Sequence, residues 1–417
     1  MTHHSSFRTH HSKRAAYPAY KPSGVEWVGD VPEHWEVRRL KYTAGLINVK
    51  VDGADTDLPY TGLEHIESWT GKRLVLNGDA TNEGQANLYQ RGDVLFGKLR
   101  PYLAKAHAAD SEGICTGELL VLRPKEVDQK FLLDYVLNPD FVAMVDSSTY
   151  GAKMPRANWD FIGNLPALIP PQDDQRAIAA FLDRETARID TLIEKKRRQI
   201  ELLQEKRSAL IHQAIHHPRT KDLRLKHVAD HVARPIDRKD EEVYTAVGLY
   251  NWARGIFHKE PRAGRDLGDS DFFWLKSDDL ILSGQFAWEG AVALASEEEE
   301  GCVVSHRYPV LRGKPDLMDT AYLWAFFTTK RGHFFLDDHS RGAAGRNRPL
   351  NINTLSKEVI PVPPLIEQKK VAEHVYFERR FKKIIARSID LLQEYRAALI
   401  SAVVTGKIDV REDNQNE

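Results

Sequence analysis

The sequence predicts an α/β (α+β) chain built as an internal pseudo-twofold repeat, with two globular α/β domains separated by two long antiparallel coiled-coil helices. Three observations carry this reading. Blocks of sequence recur at nearly constant separation. Each repeat closes on an amphipathic stretch of about 40 residues, a rod of roughly 60 Å if helical. The segments between are short β-prone runs with Gly-containing turns, each leading into a helical patch.

The strongest recurrence pairs PPQDDQRAIAAFL (170–182) with PPLIEQKKVAEHV (363–375). Both open on Pro-Pro, a chain breaker suited to the start of a helix, and both place a glutamine, Gln175 or Gln368, four positions on. Asp173 and Asp174 add negative charge where the first turn of a helix favours it. Further along, LLQEKRSALI from Leu202 matches LLQEYRAALI from Leu391. The separation is 193 residues at the glutamines and 189 at these later blocks, so the second copy is four residues shorter. Four residues make about one helical turn, a deletion that leaves both ends of a helix facing the same way. Ile189, Ile193, Ile200, Leu203, Leu210 and Ala214 fall at helical steps, interrupted by Lys196 and Arg207. Val371, Val375, Ile385, Leu392, Tyr395 and Leu399 do the same in the second copy. Two such seams in one chain can pair with each other, most simply antiparallel.

The segments before the helices also correspond. LPYTGLEHIESW (58–69) resembles VYTAVGLYNWARG (243–255), and LVLRPK (120–125) is echoed by PVLRGK (309–314). YGAKMPRANWDFIGNLPALIPP (150–171) is echoed by RGAAGRNRPLNINTLSKEVIPVPP (341–364). GDVLFGKLRPYLAKAH, beginning at Gly92, resembles SDDLILSGQFAWEGAVAL, beginning at Ser277. The former comes within one residue of a phosphate-binding loop, but Leu99 stands where a magnesium-binding Ser or Thr is needed. Val94, Leu95 and Phe96 are β-prone and apolar, and the second copy lacks the pattern, so a buried strand is expected in both halves. The helical patches are QKFLLDYVLNPDFVAMV (129–145) and DTAYLWAFFTTKRGHFFL (319–336). The expected organisation is a disordered basic, His-rich tail (1–23), a first domain (24–169), a central long helix (170–218), a second domain (219–362), a C-terminal long helix (363–406) and a tail (407–417).

Composition narrows the function. With 417 residues, 42% hydrophobic and 29% charged, the chain reads as a soluble globular protein of two or three domains. It contains no apolar run of transmembrane length, and its N-terminus lacks the apolar core of a signal peptide. Two cysteines, Cys115 and Cys302, exclude a disulfide framework or zinc ribbon and suggest the cytosol. The formal net charge of −1 provides no long-range attraction to nucleic acid, so any such contact must come from local basic patches.

Taken together, IPPQDDQRAIAAFLD…IDTLIEKKRRQIELLQEKRSALI and VPPLIEQKKVAEHV…LLQEYRAALISAVVTGKI resemble the two helical regions of the specificity subunit of type I restriction–modification systems (HsdS). The opening YKPSGVEWVGDVPEHWEVRRLK is similar to that family's usual entry, and the resemblance runs from about Gly24 to Lys407. It implies that each globular half is a target recognition domain reading one half of a split sequence in double-stranded DNA. The helices would fix the unread spacer and dock two methyltransferase (HsdM) subunits, with restriction and translocase (HsdR) subunits joining that core. The chain would carry no catalysis and no cofactor, S-adenosylmethionine included. A one-turn change in helix length would move a domain by about 5.4 Å, close to 1.6 base-pair steps of about 3.4 Å.

Base reading needs fork donors with aromatics and small residues that permit close approach. In the first half these are Lys98, Arg100 and Tyr102 after the strand, and Lys153, Arg156 and Asn158 in GAKMPRANW. In the second half they are Asn251, Trp252 and Arg254, with Arg346, Asn347 and Arg348 in the Gly-rich RGAAGRNR. The runs 195–198 and 379–383 on the helices read as a solvated face or partner contacts. The acidic run 297–300 is expected on the face away from DNA. Two other readings compete. The chain could be a coiled-coil scaffold with two protein-binding domains. It could also be an N6-adenine methyltransferase, because NPDF (138–141) is one proline short of the motif that grips a flipped adenine; no Gly-rich cofactor turn accompanies it. A nuclease site from Asp140, Glu194 and Lys196 would need a residue deep in the coiled-coil segment.

Overall fold

The computed structural model describes residues 15–75, 84–151, 153–342 and 348–412. Two compact units divide the chain, residues 1–194 with 388–417 forming one and residues 195–387 the other. The division falls inside two continuous helices, Gln172–Ile215 and Leu365–Val404, of 44 and 40 residues.

In the first unit an antiparallel sheet runs in the order Ala44–Ile47, Leu119–Pro124, Val94–Gly97, Ala106–Ala108. Leu120 faces Phe96 and Val121 faces Leu95 across the ladder. The strand Val94–Gly97 is buried throughout, which is why its sequence is continuously apolar rather than alternating. The N–H groups that a phosphate loop would offer are already used: Gly97 donates to Lys105 O and Lys98 to Glu118 O. A second sheet orders Lys50–Asp52, Gln85–Tyr89, Gly113–Cys115 and Tyr60–Thr61, the last pair parallel. Helices Gln129–Val136 and Pro139–Ser147 cover the first sheet. Phe131, Val136 and Phe141 join Phe96 and Leu122 in one core, together with Phe181 of the first long helix and Leu399 of the second.

The second unit repeats this plan. Its sheet runs Ala229–His231, Val310–Gly313, Leu280–Leu282, Val292–Leu294, the same order of equivalent strands. Leu280–Leu282 is fully buried, as its counterpart is. Helices Thr320–Phe327 and Lys330–Asp338 take the places of the two above. Their core also gathers Ile211 and Ala214 from the end of the first long helix and Val371 and Val375 from the start of the second. Each unit thus holds the start of one long helix beside the end of the other, which makes the pair antiparallel. Every seam residue anticipated from the spacing is buried or half-buried.

Three polar devices occur twice. In the first, Gln175 and Gln368, both buried, join a long helix to its domain. Oε1 of Gln175 accepts from the Asp128 N–H at 2.5 Å, and Nε2 donates to Glu126 O at 3.3 Å and Pro170 O at 2.8 Å. Gln368 repeats this with the Asp319 N–H at 2.8 Å, Leu317 O at 3.0 Å and Pro363 O at 2.8 Å. Asp128 and Asp319 in turn cap the helices that follow them. In the second device, a fully buried aspartate is neutralised by arginine. Asp93 receives Arg123 through two bonds of 2.8 and 2.9 Å, and Asp279 receives both Arg234 and Arg312.

The third device links the helices. Arg207 donates to both carboxylate oxygens of Glu378, at 2.8 and 2.9 Å, with its guanidinium over the Trp324 ring. Arg396, at the matching place in LLQEYRAALI, lies 3.4 Å from Asp190 and also donates to Trp69 O and Thr70 O.

One thiol lies in each unit, Cys115 and Cys302, both buried and free. Burial pushes the Cys115 thiol up to about 12. Among the described residues no helix is long and apolar enough to cross a membrane.

Two stability measurements follow from these contacts. Arg123→Ala leaves the Asp93 carboxylate buried and short of its counter-charge. We expect a loss of about 2–3 kcal/mol in denaturant unfolding, toward the low end for such pairs because Arg123 is about a third exposed. Asp134 presents an enclosed Oδ2 with no hydrogen-bond partner; burial, then the charge of Asp183, raises its carboxyl from 3.8 to about 7. The folded state therefore holds a proton that the unfolded chain has released, so stability falls as pH rises from about 4 to about 7 and is flat above. Asp134→Asn should raise the melting temperature at pH 8, with the gain shrinking by pH 5.

Candidate nucleic-acid interface

In the first unit the structure brings together the two sequence-predicted segments. The chain leaving Val94–Gly97 makes a tight turn, Pro101–Leu103, flanked by Arg100 and Ala104, both with positive φ (49° and 44°). Left-handed backbone at two non-glycine residues is a strained conformation that surrounding contacts must hold. They do so here: the Arg100 N–H donates to Pro155 O at 2.8 Å and the Ala157 N–H to Lys98 O at 3.0 Å. Leu99 also bridges Arg156. Lys98, Arg100, Tyr102 and Lys153 therefore share one patch, with Arg100, Tyr102 and Lys153 exposed and Lys98 half-buried. None of these four side chains has an ion-pair or hydrogen-bond partner among the described residues.

Arg156 and Asn158 are placed differently. Arg156 grips Glu118 through Nε and an Nη at 2.9–3.1 Å, and its guanidinium is held in the charged form chiefly by that hydrogen bond. Asn158 caps the short helix Trp159–Ile162, its Oδ1 accepting from the Phe161 N–H at 2.9 Å. These two residues brace the loop that carries Lys153.

In the second unit the turn Ala287–Glu289 occupies the place of Pro101–Leu103, between strands equivalent to those around it. Both candidate segments meet this turn. Asn251 donates to the Glu289 carboxylate, the Trp252 N–H to Glu289 O and the Ala253 N–H to Gly290 O. Arg348 lies over the Trp288 ring at 4.8 Å and is tied to Asp337 and to Ser340 O. Trp252, with φ 60°, is 69% exposed and stacks on His333 at an interplanar angle of 9°. Arg254 turns back over Tyr250. Trp252, Arg254, Lys330 and His333 line a cleft of about 850 Å³. Arg346 and Asn347 lie outside the described residues.

Sequence reasoning passed over Gln285, Phe286 and Trp288. The signal was available: SDDLILSGQFAWEG aligns without a gap on the segment containing Lys98, Arg100 and Tyr102, which puts Phe286 opposite Arg100 and Trp288 opposite Tyr102. This turn carries none of the basic residues of its counterpart, so no local charge marks it.

The charged runs on the second long helix also find their partners. Lys383 pairs with Glu298 and Arg379 reaches Glu299, so the acidic turn Glu297–Glu299 faces that helix. Lys383, by hydrogen bond and charge, holds the Glu298 carboxyl below the ordinary range. The NPDF segment is a helix start. Asn138 is fully buried, caps Pro139–Ser147 through the Asp140 N–H and presents nothing to a ligand. Glu194 is exposed on the first long helix, and no group of acidic, His or Cys side chains among the described residues could hold a metal.

No protein-family model matches the chain. It is 24% identical over 195 residues to the specificity subunit of the Escherichia coli type I restriction enzyme EcoDI, a match that spans 45% of this chain and 43% of that subunit. It is 21% identical to the specificity subunit of the Methanocaldococcus jannaschii type I restriction enzyme MjaVIII, over 92% of this chain and 95% of that one. A solved chain described under complex assembly and conformational transition of the type I restriction–modification system shares the fold, with a TM-score of 0.58 and 18% identity over 90% of this chain and 98% of that one. The chain is thus similar in sequence to two type I restriction enzyme specificity subunits, one of them over nearly its whole length, and shares the fold of that solved chain.

Proposed function

We propose that this chain is the non-catalytic, sequence-choosing subunit of a type I restriction–modification complex. Each globular unit reads one half of a bipartite double-stranded DNA target, and the long helices set the unread spacer between the halves. Two methyltransferase subunits dock on it, and restriction and translocase subunits join that core in the cytoplasm. The observation that carries the reading is a division within the repeat. The framework of sheet, helix caps and buried ion pairs is shared, whereas the turns at matching places differ in sequence, Lys98–Tyr102 in one unit and 284–288 in the other. Two half-sites of unlike sequence need that combination of common frame and private contacts. Docking by partners is supported by large apolar side chains left exposed on the long helices, Leu192 and Leu202 on one and Phe377 and Ile384 on the other.

Lys98, Arg100, Tyr102 and Lys153 are the proposed contacts of the first unit, and Trp252, Arg254, Arg346 and Asn347 those of the second. Arg156 and Asn158 brace the loop of Lys153, and Asn251 holds the turn beside Trp252.

The test is to express the chain with its methyltransferase partner in a methylation-free host and map modified adenines across the genome. A bipartite motif that vanishes when either component is omitted is the expected result. Modification by this chain alone, or none from a stable complex, would sink the reading.

Single substitutions sort the contacts. Lys98→Ala, Arg100→Ala or Lys153→Ala should weaken binding to the mapped duplex. A residue on phosphate lowers affinity for all sequences alike and cuts the slope of log K against log salt by about 1. A residue on a base costs about 1–3 kcal/mol and relaxes the motif at one position of one half-site.

A further inference from the structure

We propose that Gln175 and Gln368 are positioning residues that fix the angle at which each recognition domain leaves its long helix, and thereby make the complex intolerant of the wrong spacer length. The inference rests on the functional reading above and adds a residue-level cause for one of its terms.

Four observations carry it. Each glutamine lies in the first turns of a long helix, and each is buried, at 1% and 0% exposure. Each uses its amide in full across the joint: one acceptor takes the N–H of the residue that caps the domain's first helix, Asp128 or Asp319. One donor reaches the domain loop just before that cap, at Glu126 O or Leu317 O. The second donor closes on the Pro-Pro entry of its own long helix, at Pro170 O or Pro363 O. A single side chain thus spans three chain segments, and the same three bonds recur in both units although the domains around them have diverged.

The bonds make the joint stiff because the two glutamine amides are themselves buried, as are the bonds they make to Pro170 O and Pro363 O. A buried carbonyl or N–H stripped of its partner costs about 1–3 kcal/mol, so the tilted arrangement that would break them is scarcely populated. The rest of the joint is a short strand pairing, apolar contacts and polar bonds that differ between the units, such as Trp35 Nε1 to Asp174 at 3.0 Å in the first and Arg379 to Leu294 O at 2.7 Å in the second. Tyr135 and Tyr322 do reach Pro166 O and Pro361 O from the domain helices, but these tie the helices to the strand before the Pro-Pro, not to the long helix. A spacer one base pair longer or shorter displaces a half-site by about 3.4 Å along the duplex axis. A domain held at one angle rejects such a site, whereas one free to rock on its helix accepts it.

The test uses the full chain with its methyltransferase partner and the same genome-wide adenine mapping. Genomes contain both half-sites at the parental spacing and at one base pair more or less, so every spacing is read in one sample. Gln175→Met and Gln368→Met, singly and together, keep the side-chain length and delete the amide. Gln175→Glu retains the acceptor and serves where the methionine variant does not assemble. The expected result is an unchanged pair of half-site motifs with about a tenfold rise in the modified fraction at off-length spacers, equivalent to about 1.4 kcal/mol of lost discrimination. A purely structural role predicts lower melting temperature and lower modification at the parental spacing with no gain elsewhere. That outcome overturns the proposal, as does loss of all modification by a complex that still assembles. The unsubstituted chain is the control: without a bipartite motif from it the functional reading itself fails, a result separable from the behaviour of the variants.

Discussion

Two arginines on opposite helices, Arg207 and Arg396, set the constraint on which the rest of the molecule depends. Neither long helix has an apolar stripe rich enough to fix its partner's register by packing alone, for the seam is half-exposed at Ile200, Leu203, Leu210 and Leu392. Apolar contacts tolerate sliding; a buried guanidinium does not. Moving Arg207 one turn away from Glu378 would strand its guanidinium in a poorly hydrated groove and leave Glu378 with Lys382 alone, while Arg396 lies 3.4 Å from Asp190 and donates to the domain at Trp69 O and Thr70 O. In each unit these pairs hold the end of one helix beside the start of the other, and the domain cores close around that junction. The domains supply the hydrophobic stabilisation, and the arginines oppose sliding of one helix against the other.

Much of this was legible in the sequence, and for physical reasons. A strand buried on both faces must be apolar throughout, so Val94–Gly97 and Leu280–Leu282 announced themselves despite the misleading resemblance of the first to a nucleotide loop. Helices of 44 and 40 residues, differing by the four-residue deletion, followed from periodicity and from the Pro-Pro entries. The role of the glutamines was hidden. Their recurrence was plain, but a glutamine that joins three segments cannot be told by composition from one that merely faces water.

The candidate interface was less legible for a related reason. An arginine has the same sequence signature whether it points at a phosphate or at a carboxylate far along the chain. Arg156 finds Glu118, 38 residues away, and Arg348 finds Asp337, and neither partner stands out locally. Asn158 directly precedes the helical Trp-Asp-Phe, the position of a cap, and its side-chain oxygen is spent there. Glu297–Glu299 illustrates the converse. A run of acids suggests a solvated surface, but Lys383 and Arg379, some eighty residues on, give it a fixed seat. Local charge therefore locates loops well and assigns their partners poorly.

The two cysteines open a different use of the molecule. Cys115 and Cys302 are buried in separate units, and at neutral pH burial keeps Cys115 almost entirely in the unreactive thiol form. A disulfide reagent added to the native chain can reach either sulfur only when its surrounding strands part. The rate of thiol release then clocks the opening of one half of the molecule, and replacing either cysteine with alanine leaves the other half's clock running alone. The pseudo-repeat thus carries a built-in pair of chemical reporters, one for the opening of each half.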